Sequence, residues 1–263
     1  MISVNSQNQG NVSPSGVNDS DMVVGTFEDL TTFAAHGFTW SGGTGTLYDY
    51  PGAAQTQLGG VNNSGKAVGT YMDSRGEAYG FLLAQNGQTM TFSVPGAYNT
   101  FASGINNHDE VVGFSEPYAA GADTGFEKQG NAYTTIQFPG AVGTHPMAIN
   151  DAGAVVGWYY DGTTEHGFME YQNKYATIEP SGASSSMVKG INNAGEIVGE
   201  YRPNVNAQGE GFTYIDGKYT GYVYPSATYT ELDGVNSLGD RIGSAVTGNN
   251  GSLTGPGFLL KCR

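Results

Sequence analysis

The sequence predicts an all-β fold, a six-bladed β-propeller built of four-stranded antiparallel blades. A multi-residue pattern repeats six times, at intervals of 44 or 42 residues. Each copy reads as four short β-rich segments separated by turn residues, and no stretch keeps a helical period. Four antiparallel strands in about 44 residues is the length of one propeller blade. A β-helix or another solenoid is the main alternative, but its coils are usually shorter, and Asn-Gly and Asp-Gly turns favour antiparallel hairpins.

The repeat is defined by three short motifs at fixed offsets. It starts with Gly-(Ile/Val)-Asn, continues with (Val/Ile)-Gly and then with Gly-Phe, and a Pro-Gly-Ala loop often precedes the next copy. The repeats start at Gly16, Gly60, Gly104, Ala148, Gly190 and Gly234. Because these residues recur in every blade, we interpret them as scaffold that solves a packing problem common to all blades.

A tight turn follows the first strand of each repeat. Its last position requires a residue that tolerates positive φ, which glycine does best and aspartate tolerates better than most. The residues at this position are Gly65, Gly153, Gly195 and Gly239, with Asp21 and Asp109 in the remaining two copies.

The two ends of the chain predict how the ring closes. The last copy stops after its third strand, at Gly257 to Arg263, whereas Ile2 to Val4 aligns with the fourth strand of the other copies. We therefore expect the N-terminal segment to complete the sixth blade and to remove an open sheet edge. Residues 1–263 are predicted to form a single domain.

Composition excludes several classes of function. The net charge is -14, from 24 acidic and 10 basic residues, which disfavours general binding to nucleic acids or anionic membranes. No apolar run approaches the length of a membrane span. The only cysteine is Cys262, so no disulfide can form within one chain. The first ten residues lack the basic and apolar regions of a signal peptide. We expect a monomer.

The repeat resembles a known family. The pattern Gly-Ile-Asn-Asn-x-Gly-x-Val-Val-Gly, then His/Tyr-Gly-Phe and Pro-Gly-Ala, looks like that of the HAF family of bacterial extracellular repeat proteins. The resemblance covers residues 2 to 263, and His36-Gly37-Phe38 and His166-Gly167-Phe168 correspond to the motif behind the family's name. It implies a secreted or cell-surface location. It supplies no set of catalytic residues.

The positions that differ between blades are the ones expected to carry function. In the first strand, residues of one parity are apolar or small, whereas those of the other parity are mixed and are expected to face a central channel. Three residues before the repeat start, this parity contains Ser13, Gln57, Phe101, His145, Met187 and Glu231. One residue before the start, it contains Ser15, Gly59, Ser103, Met147, Lys189 and Asp233.

Four of these residues have side chains suited to acid–base chemistry. His145, Lys189, Glu231 and Asp233 fall on the neighbouring fourth, fifth and sixth blades. Around one funnel they would act as general acids and bases or bind a polar ligand. The plainer interpretation is a polar channel filled with water.

Variable rim loops are the second candidate region, because binding residues concentrate on loops of a rigid scaffold. The loops contain many tyrosines and carboxylates, including Tyr118 and Tyr229, and this composition suits polyhydroxylated ligands. Acidic loops also suit Ca²⁺. However, no Asp-x-Asp-x-Asp-Gly segment occurs, and we expect neither a metal site nor another cofactor.

The sequence therefore leaves three hypotheses of function. The first is a non-enzymatic, exported binding module that recognises a carbohydrate or another surface ligand through its rim loops. The second is a hydrolase or lyase with His145, Lys189, Glu231 and Asp233 at the funnel. The third is a purely structural surface repeat. The expected ligand-binding residues are Gln57, Phe101, Tyr118, His145, Met187, Lys189, Tyr229, Glu231 and Asp233.

Overall fold

A computed structural model describes residues 1–2, 4, 10–119, 121–247 and 257–262 of the chain. It is a six-bladed β-propeller of antiparallel sheets, so the predicted fold class is confirmed. Within each blade, consecutive strands pair as neighbours through hairpin connections. The first strand of every blade lines the central channel.

The first three blades each contain four strands. The strands of the first blade are β1 (Gly10–Val17), β2 (Val23–Asp29), β3 (Ala35–Ser41) and β4 (Thr44–Tyr48). Those of the second are β5 (Gln55–Val61), β6 (Ala67–Met72), β7 (Ala78–Leu83) and β8 (Thr89–Phe92). Those of the third are β9 (Ala97–Ile105), β10 (Val111–Pro117), β11 (Thr124–Gln129) and β12 (Ala132–Ile136).

The next two blades repeat this arrangement, and the described residues of the sixth form three strands. The fourth blade contains β13 (Gly143–Ile149), β14 (Val155–Tyr160), β15 (Glu165–Tyr171) and β16 (Lys174–Thr177). The fifth contains β17 (Ser185–Ile191), β18 (Ile197–Arg202), β19 (Glu210–Ile215) and β20 (Lys218–Tyr222). The sixth contains β21 (Ala227–Val235), β22 (Arg241–Thr247) and β23 (Gly257–Leu260).

The N-terminus completes the ring at the outer edge of the sixth blade. The backbone N–H of Ile2 donates to the carbonyl of Gly257 at 2.8 Å, in an antiparallel bridge. Ile2 and Val4 are buried against Phe38 and Ile242, which belong to the first and sixth blades. Ser3, the middle residue of the predicted closing segment, lies outside the described residues.

The recurring apolar residues form the core between blades. The phenylalanine of every Gly-Phe pair is at most 2% exposed, and the Val or Ile of every (Val/Ile)-Gly pair is fully buried. The predicted tight turns are also confirmed, because all six turn residues have positive φ, including Asp21 at 59° and Asp109 at 65°. Asp at this position therefore adopts the backbone conformation that glycine adopts in the other four turns.

A closed ring of asparagine side chains joins the six blades. The asparagine of each Gly-(Ile/Val)-Asn motif donates from Nδ2 to the backbone carbonyl of the equivalent asparagine in the next blade. The six bonds measure 3.0 to 3.2 Å and connect Asn18 to Asn62, Asn62 to Asn106, Asn106 to Asn150, Asn150 to Asn192, Asn192 to Asn236 and Asn236 to Asn18. We call the end of the channel that carries this ring the asparagine face, and the opposite end the funnel face.

The same asparagines also shape their own turns. The Oδ1 of Asn150 accepts the backbone N–H groups of Ala152 and Ala154 at 3.1 and 3.0 Å. One buried side chain thus closes its turn and contacts the next blade. This double role explains why asparagine recurs in all six repeats.

Replacing one ring asparagine is expected to destabilise the whole domain. Asn150→Ala removes three hydrogen bonds at a site that is only 7% exposed. At about 1 kcal/mol for each bond, the free energy of unfolding should fall by about 3 kcal/mol in a denaturant titration. The matched control is Asn86→Ala, in an exposed hairpin, with an expected loss below about 1 kcal/mol. Equal losses in the two variants would contradict a special role for the ring.

Removal of residues 1–5 tests the closure of the ring. The deletion exposes the pocket between the first and sixth blades that Ile2 and Val4 fill. Since burial of each side chain contributes about 1.5–3 kcal/mol, we expect the melting temperature to fall by about 10 °C. Removal of Met1 alone, which is 83% exposed, is the control. A truncated protein that melts within about 2 °C of the full chain would show that these contacts do not close the ring.

Candidate functional site

A β-bulge in the first strand of every blade aims one side chain into the channel. In all six blades the pairing between the first and second strands shifts by one residue, at the position just before the repeat start. Such bulges re-aim a side chain without ending the sheet. The bulge residues are Ser15, Gly59, Ser103, Met147, Lys189 and Asp233, and all six line the channel.

Close approach of the strands at the bulge explains the glycine of the (Val/Ile)-Gly pair. A Cβ atom on Gly113 would lie 2.0 Å from the carbonyl oxygen of Phe101, and the equivalent distances in the other blades are 2.1 or 2.2 Å. No side chain fits there. The backbone of Phe101, and of the equivalent residue in each other blade, is therefore fixed, whereas the side chain of that residue points away from this contact and is free to vary.

Varied residues of the first strand pair with varied residues of the second. The residue three before the repeat start lies opposite the residue that directly follows (Val/Ile)-Gly. The six pairs are Ser13–Thr26, Gln57–Thr70, Phe101–Phe114, His145–Trp158, Met187–Glu200 and Glu231–Ser244. The second member of each pair was not among the predicted residues, although its variation between repeats is an equally strong signal.

These side chains surround a cavity at the funnel face. The cavity has a volume of about 320 Å³, at the lower end of the range for small-molecule sites. Further along the channel, the Val and Ile residues of the repeat starts form a ring, and the cavity volume there is about 70 Å³. The channel is thus wide only at the funnel face.

The three walls of the funnel differ in chemistry. The first and second blades contribute small or polar groups, including Ser13, Thr26 and Gln57. The third blade contributes Phe101 and Phe114, whose rings stack with centroids 4.6 Å apart and an angle of 15°. The fifth and sixth blades contribute charge. Because the third and sixth blades of a six-membered ring are opposite each other, the aromatic wall faces the charged wall.

Lys189 is the centre of the charged wall. Its Nζ lies 3.2 Å from Asp233 Oδ1 and 3.5 Å from Glu200 Oε1, and it also contacts Glu231 Oε2. The four side chains are between 9% and 18% exposed. One ammonium group is therefore shared by three carboxyl groups in a half-closed site. Lys189, Glu231 and Asp233 were predicted from the sequence, whereas Glu200 was not.

Burial and charge change the protonation of this cluster. Burial, together with the nearby charge of Glu231, raises the pKa of Asp233 to about 8 despite the opposing effect of Lys189. Burial alone would lower the pKa of Lys189, but Asp233, Glu231 and Glu200 raise it well above its usual value. Burial therefore favours a proton on Asp233, while the acidic groups around Lys189 favour its charged form.

Tyr229 joins the cluster from the half-buried start of β21. Its hydroxyl contacts Glu200 Oε2 and lies 3.1 Å from Glu231 Oε2. Burial and these two glutamates raise its pKa, so the phenol keeps its proton. Tyr229 does not line the cavity; it lies behind the carboxyl groups and positions them.

His145 does not join the other three candidate catalytic residues. Its ring stacks on Trp158 at 3.9 Å and lies against Phe114, and its Nε2 is 3.3 Å from Asp123 Oδ2. Burial lowers its pKa to about 4, so the imidazole is neutral at physiological pH. The structure therefore makes His145 an aromatic support for the phenylalanine wall, outside the cluster around Lys189.

The remaining predicted residues lie in different places. Gln57 and Phe101 line the funnel, as expected. Met187 lies instead in a separate cavity of about 140 Å³ between the fourth and fifth blades. Tyr118 is 75% exposed on the rim of the third blade. The structure thus divides the predicted set among the funnel, a side cavity and the rim.

Two general features bear on other kinds of site. Across the described residues, no group of three or more His, Cys, Asp or Glu side chains is arranged to hold a metal ion. The described part of the chain contains no helix with the length and apolarity that a membrane crossing requires.

Comparisons with known proteins identify the fold. No family model matches the sequence, and no curated protein matches it. Solved propeller structures do match, at low identity. A candidate TolB from Agrobacterium tumefaciens has a TM-score of 0.62 at 10% identity, with 81% of this chain and 80% of that chain covered.

Two further matches cover nearly the whole chain. The SapL1 lectin, solved in complex with alpha methyl fucoside, has a TM-score of 0.60 at 8% identity, with 98% of this chain and 94% of that chain covered. A streptogramin B lyase has a TM-score of 0.55 at 10% identity, with coverages of 99% and 86%. At such identities the likeness shows the fold alone.

The raised pKa of Asp233 predicts a pH dependence of stability. Between its ordinary value of 3.8 and about 8, the unfolded chain loses this proton while the folded chain keeps it. The native state then binds more protons, and stability falls as pH rises. The stability of Asp233→Asn relative to wild type is expected to increase from about pH 4 to pH 8 and then to level off.

Denaturant midpoints at intervals across this pH range measure the effect. Asp216→Asn, in an exposed hairpin, is the matched control for loss of a carboxylate. A constant difference between Asp233→Asn and wild type across the range would show that Asp233 ionises in the folded protein as it does in the unfolded chain.

Proposed function

We propose that this protein is a binding module that holds a neutral saccharide in the funnel. The observation that carries the proposal is the stacked pair Phe101–Phe114 across a cavity of about 320 Å³ from Lys189, Glu231 and Asp233. Specific small-molecule sites combine apolar surface with a few placed polar groups in this way.

The chemistry of the walls favours a sugar among small ligands. A pyranose ring has an apolar C–H face, which packs on aromatic rings, and a rim of hydroxyl groups. Gln57, Ser13 and Thr26 supply neutral donors and acceptors, and the carboxyl groups of the sixth blade supply further hydrogen-bonding groups for sugar hydroxyls. No single wall has all of these properties, but the cavity as a whole does.

Charge argues against an anionic ligand. Three carboxyl groups surround Lys189, whose ammonium group is already paired with them. A phosphate or a uronic acid would meet Glu231 without a free cation to balance it, in a chain of net charge -14. Neutral hydroxyl-rich ligands avoid this repulsion.

Similar proteins and the repeat pattern support the proposal indirectly. The SapL1 lectin is a propeller of nearly equal extent that was solved with a fucoside. The resemblance of the repeats to the HAF family supports a secreted or cell-surface location, where glycans are abundant. Because the rim loops are acidic, titration of the ligand with and without a chelator tests whether Ca²⁺ contributes to binding.

A hydrolase or lyase is the second candidate, and one observation favours it. Asp233 keeps its proton up to a pH of about 8 beside the cavity, which is the property of a general acid. The match to a streptogramin B lyase supports this alternative. Without His145, however, the cluster lacks a free base, because Glu231 is bound to Lys189 and Tyr229.

Ligand titrations with single funnel variants test the proposal. The probes are methyl glycosides of fucose, glucose, galactose and mannose, with and without a chelator, followed by ligand-observed NMR and calorimetry. Phe101→Ala is expected to weaken the binding of a recognised glycoside about tenfold, because the stacking surface is lost. The aromatic control is Phe33→Ala, a rim residue that is 72% exposed and does not line the funnel.

The same experiment separates binding from catalysis. A binding module leaves the glycoside intact, and Asp233→Asn changes only its affinity. Turnover of the probe that is lost in Asp233→Asn would instead establish the enzyme. Binding that is unchanged in Phe101→Ala would place the ligand outside the funnel.

A further inference from the structure

A second aromatic pair lies on the rim of the same blade that forms the aromatic wall. The rings of Tyr98 and Tyr118 contact each other, with centroids 5.1 Å apart and an angle of 58°. Their residues are 37% and 75% exposed, so the contact does not serve the core. Tyr98 lies where the pairing of β9 with β10 shifts, between the partners of Glu116 and Pro117.

Only the third blade has this pair. Counted along the repeat, the positions of Tyr98 and Tyr118 are occupied elsewhere by Gly10 and Leu30, Ala54 and Ser74, Val142 and Gly162, Ser184 and Asn204, and Thr228 and Gly248. No other repeat has an aromatic residue at either position. The tyrosines are therefore not part of the scaffold that all blades share.

Polar groups connect the rim pair with the funnel. The cross-strand pair between them is Asn99–Glu116, in which Asn99 Nδ2 donates to Glu116 Oε2 at 2.6 Å. Asp123 lies near them, and burial together with the charge of Glu116 raises its pKa. Asn99 is buried, and its Oδ1 accepts the backbone N–H of Ala78 at 2.8 Å, whereas Glu116 is half-buried. From funnel to rim, the third blade thus has aromatic side chains at both ends and the half-buried Glu116 between them.

The spacing of these groups exceeds one sugar ring. Tyr98 is three residues before Phe101 on β9, which corresponds to about 10 Å along a strand. We propose that Tyr98 and Tyr118 form a second saccharide subsite, so that the ligand is an oligosaccharide that lies along the third blade from the funnel to the rim. This inference rests on the proposed function, and it adds the length and the direction of the ligand.

A chain-length series tests the inference. The probes are oligosaccharides of one to four units built from glucose, mannose, galactose, fucose or N-acetylglucosamine, titrated calorimetrically against the full chain. For the recognised sugar, the affinity of the wild type is expected to rise about tenfold between the monosaccharide and the trisaccharide. Tyr118→Ala should abolish this gain and leave the affinity for the monosaccharide unchanged.

Two controls isolate the aromatic ring as the cause. Tyr118→Phe keeps the ring and is expected to keep the gain. Tyr171→Ala removes a tyrosine that is 39% exposed in the hairpin between β15 and β16, and is expected to change nothing. Since Tyr118 is so exposed, these variants should melt like the wild type.

Each remaining outcome contradicts a specific statement. A monosaccharide that binds without any gain from chain length overturns the second subsite and leaves the funnel proposal intact. A gain that persists in Tyr118→Ala places the further contacts elsewhere and also overturns it. If no member of the panel binds to folded protein, both the inference and the proposed function are wrong.

Discussion

One asparagine side chain at each junction connects the blades into a ring. Its Nδ2 crosses to the next blade, while its Oδ1 closes the turn of its own blade, as at Asn150. If the turn of one blade opened, the hydrogen bond from its asparagine to the next blade would also be lost. Local folding and ring assembly therefore depend on the same buried group. The last bond, from Asn236 to Asn18, joins residues 218 positions apart and makes the ring continuous.

The bulge next to this ring separates the scaffold from the variable site. At Gly113 the strands approach so closely that only glycine fits, which fixes the backbone of Phe101 without restricting its side chain. The same arrangement holds in every blade. Six nearly identical repeats can thus present phenylalanine on one wall and Lys189 or Asp233 on another. The differences between the funnel walls require no change in the packing between blades.

Regular features were predictable from sequence because they recur six times. The turn at Asp109 is an example, since its alignment with glycines indicated the positive φ that the structure has. The site was only half predictable, because its geometry depends on cross-strand register. Trp158 stacks on His145, and Glu200 reaches Lys189 from the second strand, and neither relation follows from the first strand alone. Asp123, which contacts His145, comes from the variable loop between β10 and β11 of the neighbouring blade.

The asparagine bond is a head-to-tail contact, in which each blade uses one surface as donor and a different surface as acceptor. Contacts of this type generate closed rings when the rotation per unit divides a full turn, and open helices when it does not. The number six therefore follows from the angle between blades, since the chemistry of each junction is the same. Any fragment made of whole repeats retains a complementary donor end and acceptor end. Two half-rings of three repeats would meet through the same bonds that join neighbouring blades within one chain.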